Sequence, residues 1–191
     1  MTDDTRQNIL AAAEALFLSH GYHGSSMRQI AKQAGYSAVS GLYNHFGNKE
    51  ALFEALIQDR NPYQDVLAVL AEVEGQDGPD LLRNAFAALQ AVFVDYQTFL
   101  KLLLIDLNEF EGRFVRAIWG EVMPEVLRFA QRVRQAGGIR QDVALPLMLQ
   151  AFGGLLISSM VANAVASGLL GQAAPSDETV IDVLIEGLAV D

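Results

Sequence analysis

Tyr43, His45 and Lys49 fall within seven residues of one another, and Lys49 stands in the first turn of a helix that Asn48 is placed to cap. A cation at that end opposes the helix dipole unless an anion lies nearby. A phosphate would satisfy both the lysine and the unpaired backbone N–H groups of the first turn, so these residue types point to binding of a nucleic-acid backbone. Just upstream, Ser37, Ala38, Ser40, Gly41 and Asn44 make a small, polar face suited to a major groove, while Leu42 and Phe46 anchor the opposite side.

Other chemistry finds little support. Glu109 with Glu111, or Glu121 with Glu125, would be the acid/base pairs of a small helical enzyme, but solvated surface charge is the commoner use of such carboxylates. All three histidines lie within residues 1–45, His20 and His23 are too isolated for a metal site, and no Gly-x-Ser-x-Gly elbow occurs. The absence of cysteine excludes disulfides, thiolate metal centres and a thiol nucleophile. No catalytic or metal-binding residue is therefore assigned, and no cofactor is expected. The alternatives to DNA binding are a helical protein-interaction module and a small helical enzyme.

The elements that position these residues are all helical. Apolar residues recur at helical spacing almost throughout the 191 residues, and no run alternates as a half-buried strand does. The first helix, from about Thr5 to His20, carries Ile9, Leu10, Ala13, Leu16 and Phe17 on one face and stops at Gly21. The second starts at Ser26, where Ser26 and Gln29 have the spacing of a capping box, and ends at Gly35. The third runs near Val39 to Phe46. Ala31 allows close approach of the second and third helices, and Gly35 supplies the positive φ of the turn between them. This is the pattern of a helix-turn-helix. The fourth helix begins after Asn48, and Pro62 should kink or split it after Asn61. Further helices are predicted near 80–96, 98–109, 112–136, 142–170 and 177–189.

Half of the residues (51%) are hydrophobic and 19% charged, the balance of a packed globular chain. The net charge of −10 opposes nucleic-acid binding at first sight. Residues 1–60, however, carry only −1 of it and residues 61–191 carry −9. The first segment is free to present a basic face, and the second would repel DNA and so orient the first. The uncharged stretch Val143–Gly171 is long enough to span a bilayer, but Pro146, Gln150 and Asn163 interrupt it and no Lys/Arg cluster flanks it. A buried interface helix is the better reading. Without a basic region and apolar stretch at the N-terminus to export it, the protein is expected in the cytoplasm.

Several segments together resemble the tetracycline-repressor (TetR) family: Ile9 to Phe17, Gly21-Tyr22, Ser26 to Ala31, Ala34-Gly35, Leu42 to Phe46 and Asn48 to Leu52. The resemblance covers about residues 5–56. It implies a three-helix DNA-binding domain over residues 1–48 and a larger helical domain over residues 49–191 that binds an effector and dimerises. It places phosphate contacts at Ser26, Tyr43, His45 and Lys49, and base-edge or nearby contacts at Arg28, Ser37, Ser40 and Asn44. The turn between Gly35 and Leu42 is one residue longer than the family's usual one. No Arg or Lys lies on the recognition helix, so guanine readout falls to Arg28, and phosphate and shape contributions dominate.

In the second domain, Gly154, Ser158, Ala162 and Ala166 form a stripe of small residues, and Ile181, Leu184, Ile185 and Leu188 an apolar face. Together they suit a four-helix contact in a homodimer, with intrachain packing as the alternative. Phe86, Phe93, Tyr96, Phe99, Phe110, Phe114, Trp119 and Gln150 are candidates to line a mostly apolar effector pocket. The expected partners are a palindromic double-stranded operator, a small-molecule effector and a second copy of the chain.

Overall fold

The computed structural model describes residues 2–169 and 177–189; the side chains at 2, 3, 95, 163–169 and 177–179 lie outside that description. Among the described residues ten helices follow one another: α1 (Thr2–His20), α2 (Met27–Gln33), α3 (Ser40–Tyr43), α4 (Lys49–Arg60), α5 (Tyr63–Glu72), α6 (Gly78–Asp95), α7 (Gln97–Glu109), α8 (Arg113–Gln135), α9 (Leu145–Leu169) and α10 (Asp177–Leu188). Among the described residues the sole β pairing is an isolated bridge between Ile139 and Ala189. The all-α expectation and the order of helices hold.

Local chemistry sets the boundaries. The Ser26 side chain accepts from the Gln29 N–H while the Gln29 side chain accepts from the Ser26 N–H, the reciprocal cap expected from the sequence. Asn48 caps α4 by accepting from the Ala51 N–H at 2.7 Å. Pro62 does split the long fourth helix: Asn61 turns extended, and a new helix starts at Tyr63.

By packing, the chain divides into two compact units: residues 1–61 with 96–118, and residues 62–95 with 119–191. The first unit extends past residue 48, the boundary expected from the sequence, because α4 and the later segment 96–118 share a core with α1 to α3. In the first unit Ile9, Leu10, Phe17, Ile30, Leu42, Phe53, Leu56 and Leu102 lie in one cluster. Tyr22, Phe53, Phe110 and Phe114 add aromatic contacts with centroids 4.8–6.0 Å apart. Asp106 is fully buried, yet its carboxylate accepts from the N–H groups of Val115 at 2.9 Å and Phe114 at 3.4 Å. It satisfies two otherwise unpaired donors in the first turn of α8, which accounts for a charge in the core.

In the second unit the start of α6 meets the end of α8, where the Gly78 N–H donates to the Gly137 carbonyl at 2.9 Å. The Arg140 N–H, just before α9, donates to the Leu188 carbonyl at the end of α10 at 2.8 Å. Helices α6 and α9 therefore run in one direction and α8 and α10 in the other. Their core holds Leu82, Phe86, Leu89, Phe129, Val133, Met148, Phe152, Ile181 and Ile185. The window Leu145–Ala162 of α9 has a mean hydropathy of 1.7, long and apolar enough by composition to cross a membrane. It is two-faced, however: Met148, Phe152, Leu156 and Ser159 are buried, whereas Leu147, Ile157 and Val161 are exposed.

Candidate nucleic-acid interface

The helix-turn-helix is built on Leu42, Phe46, Ile30 and Ala31, all buried. Gly35 adopts φ +83°, the left-handed conformation that closes the turn after α2. The Tyr36 N–H then donates to the Ala31 carbonyl at 2.9 Å, and the chain enters α3 through a tight turn in which Gly41 N–H donates to Ala38. The ring of Tyr36 lies on Gly41. A Cβ at Gly41 would stand 2.5 Å from Tyr36 Cδ1.

Around this scaffold Ser37, Ser40, Asn44 and His45 are exposed and Gly41 is half-buried. Tyr43 is 49% exposed, a large aromatic left outside the core that Leu42 beside it fills. On α2, Arg28 is exposed, and Lys32 is exposed one turn further along the same face. Lys32 was not among the expected contacts, although its spacing of four from Arg28 was available to find it. Ser26 is exposed but its hydroxyl is committed: it donates to Gln29 Oε1 at 2.6 Å.

Lys49 departs from expectation. Its ammonium donates to the carbonyls of Tyr22 at 2.7 Å and Ser25 at 2.9 Å and lies 4.1 Å from the Tyr22 ring centroid. The negative partner that a cation at a helix start requires is thus supplied largely by the chain, which ties α4 to the loop between α1 and α2. Burial holds the Lys49 ammonium below its ordinary pKa. The first-turn N–H groups of α4, which have no intrahelical acceptor, remain the feature of this corner suited to an anion. Of the two isolated histidines, His20 Nδ1 contacts Ser19 Oγ at 2.8 Å and His23 Nε2 meets Glu109 at 2.5 Å, so each has its own partner.

The residues expected to line one effector pocket separate. Tyr96, Phe99, Phe110 and Phe114 pack into the first unit's core, and Phe86 and Phe93 into the second's. Trp119 is 56% exposed and Gln150 is also exposed. Helical spacing reports that an aromatic is buried, not which neighbours bury it. A shallow cavity of about 180 Å³ lies elsewhere on the second unit, lined by Leu70, Ala71, Glu125, Arg128, Phe129 and Arg132. The expected dimer face also divides. Gly154, Ser158 and Ala162 are exposed, Leu184 is half-buried, and Ile181, Ile185 and Leu188 are spent in the unit's own core; the Ala166 side chain lies outside the described residues. Val183, 70% exposed on α10, joins the exposed side instead.

Residues 9–56 match the family model described as bacterial regulatory proteins, tetR family. The transcriptional repressor AcnR of Corynebacterium glutamicum is 36% identical over 75 residues, covering 39% of this chain and 36% of that one. The transcriptional regulator UidR of Escherichia coli is 45% identical over 53 residues, covering 28% of this chain and 26% of that one. The aligned stretch thus spans about a third or less of these curated relatives. The fold is similar along the whole length to a TetR family transcription regulator from Marinobacter aquaeolei, with a TM-score of 0.74 at 17% identity, covering 100% and 98% of the two chains. These relatives are named as transcription regulators and not as enzymes. Residues 9–56 thus form a helix-turn-helix similar to that of the tetR family of bacterial regulatory proteins, within a fold that the chain shares along its length with solved members of that family.

Proposed function

We propose that the protein is a cytoplasmic transcriptional repressor that binds a palindromic operator as a homodimer and is modulated by a small, mostly apolar effector. The observation that carries this reading is the surface of α3: Ser40, Tyr43 and Asn44 are exposed on a four-residue helix held from behind by buried Leu42 and Phe46. A large exposed aromatic beside small polar residues has little packing value and fits a groove floor with phosphates at its edge.

Arg28 and Lys32 on α2, and the N–H groups opening α4, serve as backbone contacts on either side of α3. Ser37, Ser40 and Asn44 approach base edges. Residues 1–48 supply DNA recognition, and residues 49–191 effector binding and dimerisation. The exposed Leu147, Ile157 and Val161 of α9 with Val183 of α10 form a continuous reason for a second copy to bind, flanked by the small Gly154, Ser158 and Ala162. Two recognition helices would then meet successive major grooves ~34–36 Å apart.

The test is to enrich fragments of the source genome on the purified protein, sequence them, and measure binding by fluorescence anisotropy with rising salt. A shared palindrome bound far more tightly than scrambled DNA is the expected result. Binding that follows only phosphate content, with no common sequence, would overturn the reading.

A further inference from the structure

The recognition helix cannot orient itself. α3 is a single turn of four residues, Val39 gives it no side-chain cap, and a helix that short is unstable without outside contacts. Its inner side is held by Leu42 and Phe46, four residues apart and both buried. Two contacts in one row fix the distance of a helix from its core but leave it free to roll about that row.

Tyr36 supplies a contact off that row. Its backbone is fastened to the end of α2: Gly35 before it is left-handed, and the Tyr36 N–H donates to the Ala31 carbonyl at 2.9 Å. Its ring reaches forward onto α3. The Cβ that Gly41 lacks would stand 2.5 Å from Tyr36 Cδ1 and 2.8 Å from Cε1, so the ring lies against the Gly41 backbone. The same ring meets that of His45 edge to face, with centroids 6.5 Å apart and planes at 66°. Gly41 and His45 are four residues apart and form their own row. It lies about 100° round the helix from Leu42 and Phe46, and about 100° on the other side from the exposed Ser40 and Asn44. Tyr36 is therefore wedged along the border between the buried side of α3 and its polar side. The Tyr36 hydroxyl is buried without a hydrogen-bond partner, so it is closed off from DNA, and the residue acts through the bulk of its ring.

Resting on the regulator reading above, we infer that Tyr36 is a positioning residue for sequence readout: its ring sets the roll of α3, and with it the aim of Ser40 and Asn44 at base edges. Hydrogen bonds to base edges weaken steeply when misaligned. Arg28 and Lys32 stand on α2 and keep their place when α3 rolls, so the phosphate contacts they make are spared. Loss of the ring costs discrimination between sequences and leaves non-specific binding intact.

Tyr36→Leu and Tyr36→Phe test this in the full chain, by fluorescence anisotropy at one salt concentration on an enriched genomic fragment and on a scrambled duplex of equal length. Tyr36→Leu should bind the enriched fragment about tenfold more weakly, the scale of one lost base contact, and the scrambled duplex within about twofold of wild type. Tyr36→Phe keeps the ring and should keep the wild-type ratio. Amide hydrogen exchange of the DNA-free protein gives a second readout: residues 41–46 should exchange faster in Tyr36→Leu, with α1 and α4 unchanged. Equal weakening on both duplexes, a lost ratio in Tyr36→Phe, or faster exchange throughout the first unit would overturn the inference. Where Tyr36→Leu does not fold, Tyr36→Met carries the same expectations, and failure of both to fold would overturn it too by making Tyr36 a general core residue. A wild type that does not prefer the enriched fragment would sink the regulator reading, with the exchange pattern still deciding whether Tyr36 holds α3. A preference that Tyr36→Leu leaves intact would sink this inference alone.

Discussion

The ammonium of Lys49 lies 4.1 Å from the ring centroid of Tyr22 and donates to that residue's own carbonyl at 2.7 Å, so one side chain holds both the ring and the backbone of a residue 27 positions away. Lys49→Met keeps the stem and removes the donors. It should destabilise the protein by about 1–3 kcal/mol, the cost of leaving two part-buried carbonyls unmet, as read from urea unfolding. Because the ammonium is already engaged, the variant's salt dependence of DNA binding should change by less than one unit of log–log slope. A full unit lost in each subunit with unaltered stability would return Lys49 to the role of a phosphate contact.

The same pair predicts an alkaline limit. Burial raises the Tyr22 phenol above its ordinary value, and the carboxylates of Glu50 and Glu109 push it the same way against Arg113. A raised acid favours its neutral form in the folded state, so its contribution is complete below pH 10 and is lost as pH rises from there through the folded value. Tyr22→Phe should flatten the decline in melting temperature above pH 10 while leaving the slope near neutrality alone. The lowered Lys49 value works in the opposite direction over the same range, so Tyr22→Phe in a Lys49→Met background should give the clearer change.

Gly41→Ala tests the packing of the recognition turn. The added methyl would meet the Tyr36 ring at 2.5 Å, and overpacking of this kind costs about 1–3 kcal/mol. Tyr36→Leu should recover much of that loss in the double variant, a coupling that unrelated sites would not give. Since the Tyr36 hydroxyl is buried without a partner, Tyr36→Phe alone should be neutral or stabilising.

The capping box at Ser26, the break at Pro62 and the turn at Gly35 were legible because each is decided by neighbours in sequence. Lys49, Asp106 and the aromatic residues were not. Lys49 reaches across 24 and 27 positions to its carbonyls, and Asp106 caps α8 from the preceding helix. Neither leaves a local pattern. The last helix shows the same limit: its apolar face was evident, but periodicity does not say whether Ile181 and Ile185 meet the chain's own core or another molecule's.

That distinction yields a paired prediction on association. Val161 is 54% exposed and Ile185 is 5% exposed in the single chain. Val161→Arg should give a folded monomer in sedimentation velocity at micromolar concentration, with wild-type helicity. Ile185→Arg should instead unfold the second unit, by placing an unpaired charge in a core. A wild-type chain that sediments as a monomer would remove the palindromic operator from the proposal.

Segment 96–118 completes the core around α1 and α4, and this carries a consequence for synthesis on the ribosome. Phe53, Leu56 and Ile57 emerge well before Phe99, Leu102 and Phe114, the residues that finish burying them. With 57 residues from Pro62 through Ile118 still to be made and elongation at about 5–20 residues per second, the nascent first unit waits some seconds with an apolar flank open. The intervening chain is therefore a delay as well as a scaffold, and a gene cut after residue 61 would make that delay permanent.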